Sequence, residues 1–194
     1  MPFVLTIDQR ASRRSPDRVP ALLAQLAGVP TLRRFERTAG DEFQGVLDDP
    51  AVVTDVVLDL VRDGGWSVGV GAGAVHTPLP ASTRAGAGPA FIRAREAVEA
   101  AKRRPVRIAV RGADPDSAAD TQAVLTALAV FVQRRSEQAW EAIRLVRAGR
   151  TQAEAAAELG VTRQAVGQRL AAGLWELESD LRPTATRLLT RAAG

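Results

Sequence analysis

Cysteine is absent from this sequence, and histidine and lysine each occur only once. Without cysteine, the chain can form neither a disulfide framework nor a thiolate metal site. The single histidine, His76, has no second histidine or cysteine with which to share a metal ion, so we expect a surface or capping role for it. The sole lysine is Lys102, and every other basic side chain is arginine, a bias that a GC-rich genome is enough to produce.

Long apolar runs are also missing. No stretch approaches the roughly 18 residues that a membrane-spanning helix needs. Asp8 and Arg10 interrupt the apolar start of the chain, unlike the pattern of a secretory signal peptide. With 46% hydrophobic and 25% charged residues, the composition is that of an ordinary globular protein. We therefore expect a cytoplasmic protein.

Positive charge is unevenly distributed along the chain. Residues 1–112 contain 16 basic and 12 acidic side chains, whereas residues 113–194 contain 10 of each. The excess of Lys and Arg that favours nucleic-acid binding is therefore not a property of the second half as a whole. Any DNA-binding function there must be recognised from local pattern.

Strand and helix patterns alternate through the first part of the chain. Short β-branched or alternating runs predict strands at residues 3–7, 31–38, 42–47, 66–75 and 106–110. Apolar side chains at helical spacing predict helices at residues 16–27, 50–63 and 89–103. The turn Ala39-Gly40-Asp41 predicts a hairpin between the second and third strands. This order predicts an α+β fold: an extended ferredoxin-like sheet with helices on one face.

A break in composition follows the last predicted strand. Residues 112–117 contain Gly, Asp-Pro and Ser, which favour a linker. Beyond it the pattern is helical throughout, with no strand signal. We therefore expect two domains, an α+β domain at residues 1–112 and an all-helical domain at residues 113–194.

Residues 151–173 have the pattern of a helix-turn-helix. Thr151 and Glu154 form a predicted capping box at the start of a short helix. Gly160 can end that helix because glycine tolerates a positive φ, and Thr162 can cap a second helix. Polar side chains then line the exposed front of the second helix, where they could reach base edges and phosphates in a major groove. The candidate DNA-contacting residues are Thr151, Gln152, Thr162, Arg163, Gln164, Gln168 and Arg169.

From Ser136 onward, this region resembles the DNA-contacting part of sigma-factor-like and related bacterial helix-turn-helix regulators. The resemblance implies binding to double-stranded DNA. The alternative is a plain helical hairpin that only packs against the rest of the protein.

Leucines recur at helical spacing beyond the motif, at Leu170, Leu174, Leu177 and Leu181. The spacing predicts that the second helix runs on for about three more turns with an apolar stripe. The stripe can serve the core of the domain or the seam of a homodimer. The acidic side chains of the same segment, Glu176, Glu178 and Asp180, are expected to point away from DNA.

Three segments of the first domain combine charged residues with glycine. Asp8 ends the first strand and is followed by Arg10, Ser12 and Arg13. Gly40-Asp41-Glu42-Phe43-Gln44-Gly45 spans the hairpin, and residues 88–97 open a helix with the sequence GPAFIRAREA. Together these segments resemble the SatD family over most of residues 1–104. The chain departs from the family pattern at residues 9–11, where Gln-Arg-Ala stands in place of an Ile-Val-Gly type run.

The SatD family is distantly similar to class III nucleotide cyclases and GGDEF domains. That similarity implies that Asp8 and Asp41 hold divalent cations such as Mg²⁺, which carboxylates bind together with substrate phosphates. Arg10, Arg13 and Arg93 could then meet phosphate oxygens of a nucleotide or other phosphorylated ligand. The alternative is that the two aspartates are ordinary turn and strand-end residues. An arginine clamped between them would indicate a site that has lost its metal.

The run Val68-Gly69-Val70-Gly71-Ala72-Gly73 is not a dinucleotide-binding loop, because no helix follows it directly. It predicts a close-packed strand next to the hairpin. The sequence as a whole favours a DNA-binding regulatory protein whose first domain senses a ligand or mediates assembly. The main alternative is a metal-dependent nucleotide-binding or nucleotide-converting enzyme with a helical docking domain, and a third is a structural adaptor in which both sites are inert.

Overall fold

The protein is represented by a computed structural model that describes residues 1–12 and 14–194. Within these residues it is an α+β protein with one sheet of mixed strand direction. The sheet has the order β2-β3-β1-β4-β5, antiparallel except for the parallel pair β4–β5. The strands are β1 (Phe3–Gln9), β2 (Arg33–Ala39), β3 (Glu42–Leu47), β4 (Trp66–Ala72) and β5 (Ile108–Arg111).

Three α-helices connect these strands, and the described chain after β5 contains further helices and no strand. Among the described residues, no helix is both long and apolar enough to cross a membrane. The helix predicted at residues 50–63 has those bounds in the structure. The helices are α1 (Val19–Gln25), α2 (Pro50–Asp63), α3 (Pro89–Ala101), α4 (Pro115–Gln133), α5 (Glu137–Arg147), α6 (Gln152–Leu159), α7 (Arg163–Ala172) and α8 (Trp175–Ala193).

Helices cover both faces of the sheet, so the prediction of helices on one face is wrong. Phe3 and Leu5 of β1 pack into the cluster that contains α1 and α2, whereas Val4 points the other way and packs against α3. The reason lies in β4, where large side chains alternate with glycines. A Cβ atom on Gly71 would lie 2.1 Å from the Ala90 carbonyl oxygen, so only a glycine face lets α3 approach this closely.

The prediction of a close-packed strand at β4 is therefore confirmed, but its predicted neighbour is wrong. β4 pairs with β1 on one side and with β5 on the other. β1 separates it from the β2–β3 hairpin.

Helices α4 and α8 pack against α2 and extend the core of the sheet. Leu125 of α4 and Leu189 of α8 belong to the same buried cluster as Leu5 of β1. The segment after β5 is tied to the end of the chain by a hydrogen bond of 2.7 Å from the Ala113 N–H to the Ala192 carbonyl. Apolar packing therefore continues across the predicted boundary at residue 112.

Helices α5, α6 and α7 pack on one another beside this core. The prediction that the last of them runs on into the leucine stripe is wrong, because α7 ends at Ala172 and Leu174 has a left-handed backbone with φ of 53°. Gly173 sits against Ile143 at this turn, where a Cβ atom would lie 2.7 Å from the Ile143 Cδ1 atom. Leu170 is buried in the three-helix unit, whereas Leu174 and Leu177 are each 44% exposed.

Candidate functional site

A polar cleft of about 830 Å³ opens at the end of β1. The strand register places Asp8 between Glu42 of β3 and Ser67 of β4. Asp41 is brought in by the hairpin turn, where its carbonyl accepts a hydrogen bond from the Gln9 N–H. The residues that line the cleft are Asp8, Gln9, Arg10, Ala11, Ser12, Arg14, Asp41, Gly65, Ser67, Lys102 and Arg107. The two aspartates predicted to form a site thus share one cleft.

Lys102 is the cation that pairs with Asp8. Its Nζ atom lies 2.8 Å from Asp8 Oδ2 and 2.8 Å from Glu99 Oε1. Burial raises the pKa of Asp8, and the nearby Asp41 and Glu42 charges add to this effect while Lys102 opposes it. Burial works against the Lys102 ammonium, but the bonds to Asp8 and Glu99 outweigh it and raise the lysine pKa above its ordinary value.

The loop that forms one wall of the cleft is held by the buried amide of Gln9. Its Nε2 atom donates to the Pro16 carbonyl at 2.7 Å and to the Ser15 hydroxyl at 3.2 Å, and its Oε1 atom accepts from the Arg18 N–H. Ala11 within this loop has φ of 54°, a conformation that costs a non-glycine residue about 1 kcal/mol or more. Gln9 is thus the side chain that anchors this loop.

The three arginines predicted to contact phosphate at this site have different outcomes. Arg10 lines the cleft beside Asp8. Arg13 lies outside the described residues. Arg93 lies at the opposite end of the sheet, because it donates to the Ala72 carbonyl and Ala72 pairs with Phe3 rather than with Asp8. Arg93 is therefore not brought together with the two aspartates.

The donor set at the cleft does not fit a divalent cation well. The Lys102 ammonium contacts Asp8 Oδ2 and already neutralises that carboxylate, so it competes with a metal ion for Asp8. In the part of the chain that the structure describes, no three His, Cys, Asp or Glu side chains are grouped as metal ligands. The cation that pairs with Asp8 is Lys102 rather than an arginine, and its second partner is Glu99 rather than Asp41.

The second candidate site is the exposed surface of α6 and α7. The predicted capping box is present: Thr151 Oγ1 accepts from the Glu154 N–H at 3.2 Å, and Glu154 Oε2 accepts from the Thr151 N–H at 2.7 Å. Gly160 ends α6 with φ of 64°. The Thr162 hydroxyl caps α7 by accepting from the Ala165 N–H at 3.1 Å.

The first turns of α7 separate polar from apolar side chains. Val166 and Leu170 are buried against α5 and α6. The candidate DNA contacts Thr151, Gln152, Thr162, Arg163, Gln164 and Gln168 are all exposed. Arg169 differs from them, since it is partly covered and lies 3.5 Å from Glu141 of α5.

Several residues of the cleft were missed from the sequence. Lys102 and Arg107 follow α3 and reach the site only because α3 crosses the opposite face of the sheet from α2. Arg14 enters through the loop that Gln9 anchors. The sequence feature that could have indicated a role for Lys102 is that it is the sole lysine of an arginine-rich chain.

Comparisons of the chain with protein-family models, curated proteins and solved structures found no match. The fold and both candidate sites therefore rest on geometry, and the resemblances drawn from the sequence remain expectations.

Proposed function

We propose that this chain is a DNA-binding regulatory protein and that α6 and α7 are its helix-turn-helix. The observation that carries the proposal is the division of α7, which buries Val166 and Leu170 while Arg163, Gln164 and Gln168 face solvent. A recognition helix needs this division, because one face must fix it to the domain while the other enters the major groove.

The side-chain chemistry of the exposed face supports the same proposal. Arginine can donate two hydrogen bonds to guanine, and glutamine can pair with adenine in the same bidentate manner. Thr162 lies at the N-terminus of α7, where a hydroxyl and backbone N–H groups suit phosphate oxygens. The N–H and hydroxyl of Thr151 are already bonded to Glu154, so we assign Thr151 a smaller share of the contact. Arg169 is engaged by Glu141, so we assign it a smaller share of the contact than Arg163.

The proposal extends to a ferredoxin-like, cyclase-like first domain that senses a ligand or mediates assembly in the cytoplasm. Its support is the element order β1-α1-β2-β3-α2-β4 together with the strand order β2-β3-β1-β4. Helix α3 and β5 would then be the extension of that fold. The Asp8–Lys102 pair weighs against the enzyme alternative, because a metal-dependent enzyme needs both aspartates as metal ligands.

We include a homodimer in the proposal, because one helix-turn-helix reads only a short half-site and symmetric pairing supplies the second. The exposed Leu174 and Leu177 at the start of α8 offer an apolar contact for it. Light scattering tests this part separately. A species of only 20.6 kDa without DNA, together with a complex of one protein chain per duplex with DNA, would reject the dimer without contradicting the assignment of the recognition helix.

The DNA-binding test begins with selection of duplexes from a random-sequence library, followed by fluorescence anisotropy with the selected duplex. Arg163→Ala and Gln164→Ala should each weaken binding by about 1–3 kcal/mol if they contact base edges. Arg187→Ala is the matched control, since Arg187 is an exposed arginine of α8 outside the three-helix unit. Circular dichroism should be unchanged in all three variants. Wild-type affinity in both α7 variants would show that α7 is not the recognition helix.

A further inference from the structure

The cleft at the end of β1 contains more positive than negative charge. Four cationic side chains line it, against the two carboxylates of Asp8 and Asp41, and one of the cations is already paired with Asp8. The other three are Arg10, Arg14 and Arg107. Among the described residues, none of their guanidinium groups has an ion-pair or side-chain hydrogen-bond partner within the protein.

Lys102 stands in this cleft where a metal would otherwise neutralise Asp8. Two of the three N–H groups of an ammonium are accounted for by Asp8 and Glu99, each at 2.8 Å. The third remains for a ligand, since lysine is a three-donor cation. An ammonium held in this way can donate its third N–H to a phosphate oxygen without the octahedral coordination that Mg²⁺ requires.

We propose that this cleft binds the phosphate groups of a phosphorylated small molecule without a divalent cation, with Lys102 in the place of the metal and Arg10 and Arg107 as the main phosphate contacts. Arginine and lysine are the side chains that recognise phosphate in proteins, arginine by bidentate hydrogen bonds and lysine as a point charge. None of the described residues that line the cleft is aromatic. The cleft therefore recognises the phosphates rather than a stacked base, and a di- or triphosphate matches its charge. This inference is independent of DNA binding by α7.

The test is calorimetric titration of the full chain with sodium pyrophosphate at constant ionic strength, once in EDTA and once with Mg²⁺. Binding in EDTA is the expected result. Added Mg²⁺ should weaken it, because Mg²⁺ complexes the ligand and competes with the basic side chains for its charge. Binding that appears only with Mg²⁺ would overturn the proposal in favour of a metal site. Absence of binding in both buffers would overturn it altogether.

Variants of single arginines show whether any binding belongs to this cleft. Arg10→Ala and Arg107→Ala should each weaken pyrophosphate binding about tenfold, the typical loss of a charge-assisted hydrogen bond. Arg103→Ala is the matched control, because Arg103 follows Lys102 directly but does not line the cleft. An equal loss in all three variants would indicate non-specific attraction and reject the site. Lys102→Met should abolish binding in EDTA, and its fold is checked by circular dichroism.

Discussion

Glu178 of α8 is the most deeply buried acidic side chain among the described residues. Its carboxylate lies between the guanidinium groups of Arg135 and Arg182, and the Arg135 side chain is itself only 1% exposed. Arg182 also forms an ion pair with Asp55 of α2. Arg135 also donates to the Gly173 carbonyl at 2.7 Å, so these charges connect α2 with the turn between α7 and α8.

We predict that Glu178→Ala lowers the free energy of unfolding by about 3–5 kcal/mol, because it leaves the buried Arg135 guanidinium without its counter-charge and removes one of the two carboxylates that pair with Arg182. Glu176→Ala is the control, since Glu176 is exposed on the same helix and surface substitutions usually stay within about 0.5 kcal/mol. Urea denaturation followed by circular dichroism measures both. Equal effects of the two substitutions would contradict a structural role for the buried network.

Glu178 also shows what the sequence could not reveal about single residues. Together with Glu176 and Asp180 it was expected to point away from DNA, and the leucine spacing supported one continuous helix. The left-handed backbone at Leu174 breaks that helix and rotates α8 relative to α7. Arg135 comes from another part of the chain, so no local pattern could have identified it as the partner of Glu178.

At the scale of the element, the turn between α6 and α7 depends on one glycine. Gly160 has φ of 64°, with no atom within 4 Å of an added Cβ, so only backbone strain opposes a side chain there. We predict that Gly160→Ala costs about 1 kcal/mol of stability. Gly167→Ala is the matched control, because Gly167 lies within α7 and an added Cβ would meet only Gln152 Oε1 at 3.6 Å.

Gly167→Ala should stabilise the protein by about 0.5–1 kcal/mol, since alanine favours the helix more than glycine does. Both variants are compared with wild type by thermal and urea unfolding. An unchanged or increased stability of Gly160→Ala would be incompatible with a left-handed turn at residue 160.

The capping box of α6 makes a prediction about pH. Hydrogen bonds from the Thr151 N–H and then from the Thr151 hydroxyl lower the pKa of Glu154 below its ordinary value of 4.5. A carboxylate whose pKa is lower in the folded state contributes stability above the ordinary value, and this contribution is lost as pH falls through the lowered pKa. Glu154→Gln keeps an acceptor but removes the charge.

Wild type should therefore be more stable than Glu154→Gln at pH 7, and the difference should disappear in acid. Glu158→Gln, at the other end of α6, is the control because the Glu158 side chain accepts no backbone N–H among the described residues. Urea unfolding at several pH values measures the differences. A gap between wild type and Glu154→Gln that does not change with pH would contradict a charged capping box.

At the scale of the whole molecule, the order of elements was predictable, but their arrangement around the sheet was less so. Alternation and helical spacing located every strand of the first part, because those patterns are local. α3 can pack on the opposite face because Gly69 and Gly71 have no side chains that would clash with its backbone. Prediction of the cleft was limited in the same way. Asp8 and Asp41 were predicted to lie together, whereas Lys102 reaches Asp8 only because α3 packs on the opposite face of the sheet.

The packing of α4 and α8 on α2 bears on whether the two predicted domains unfold separately. Their side chains share one buried cluster with the sheet, and Arg62 of α2 stacks on Trp140 of α5 at 4.2 Å. A core that crosses the boundary at residue 112 favours one cooperative transition. The three tryptophans are well placed to report on it, because Trp66 lies in β4 and Trp140 and Trp175 lie in the helical part.

We predict that two reporter variants will each unfold in a single transition. The double variant Trp140→Phe with Trp175→Phe leaves Trp66 as the reporter of the sheet, and Trp66→Phe with Trp175→Phe leaves Trp140 as the reporter of the helical part. Within each variant, the urea midpoint from fluorescence should match the midpoint from circular dichroism, which controls for any loss of stability caused by the substitutions. If Trp140 fluorescence changes at lower urea than the circular dichroism signal, residues 113–194 unfold on their own, and the shared cluster does not couple them to the sheet.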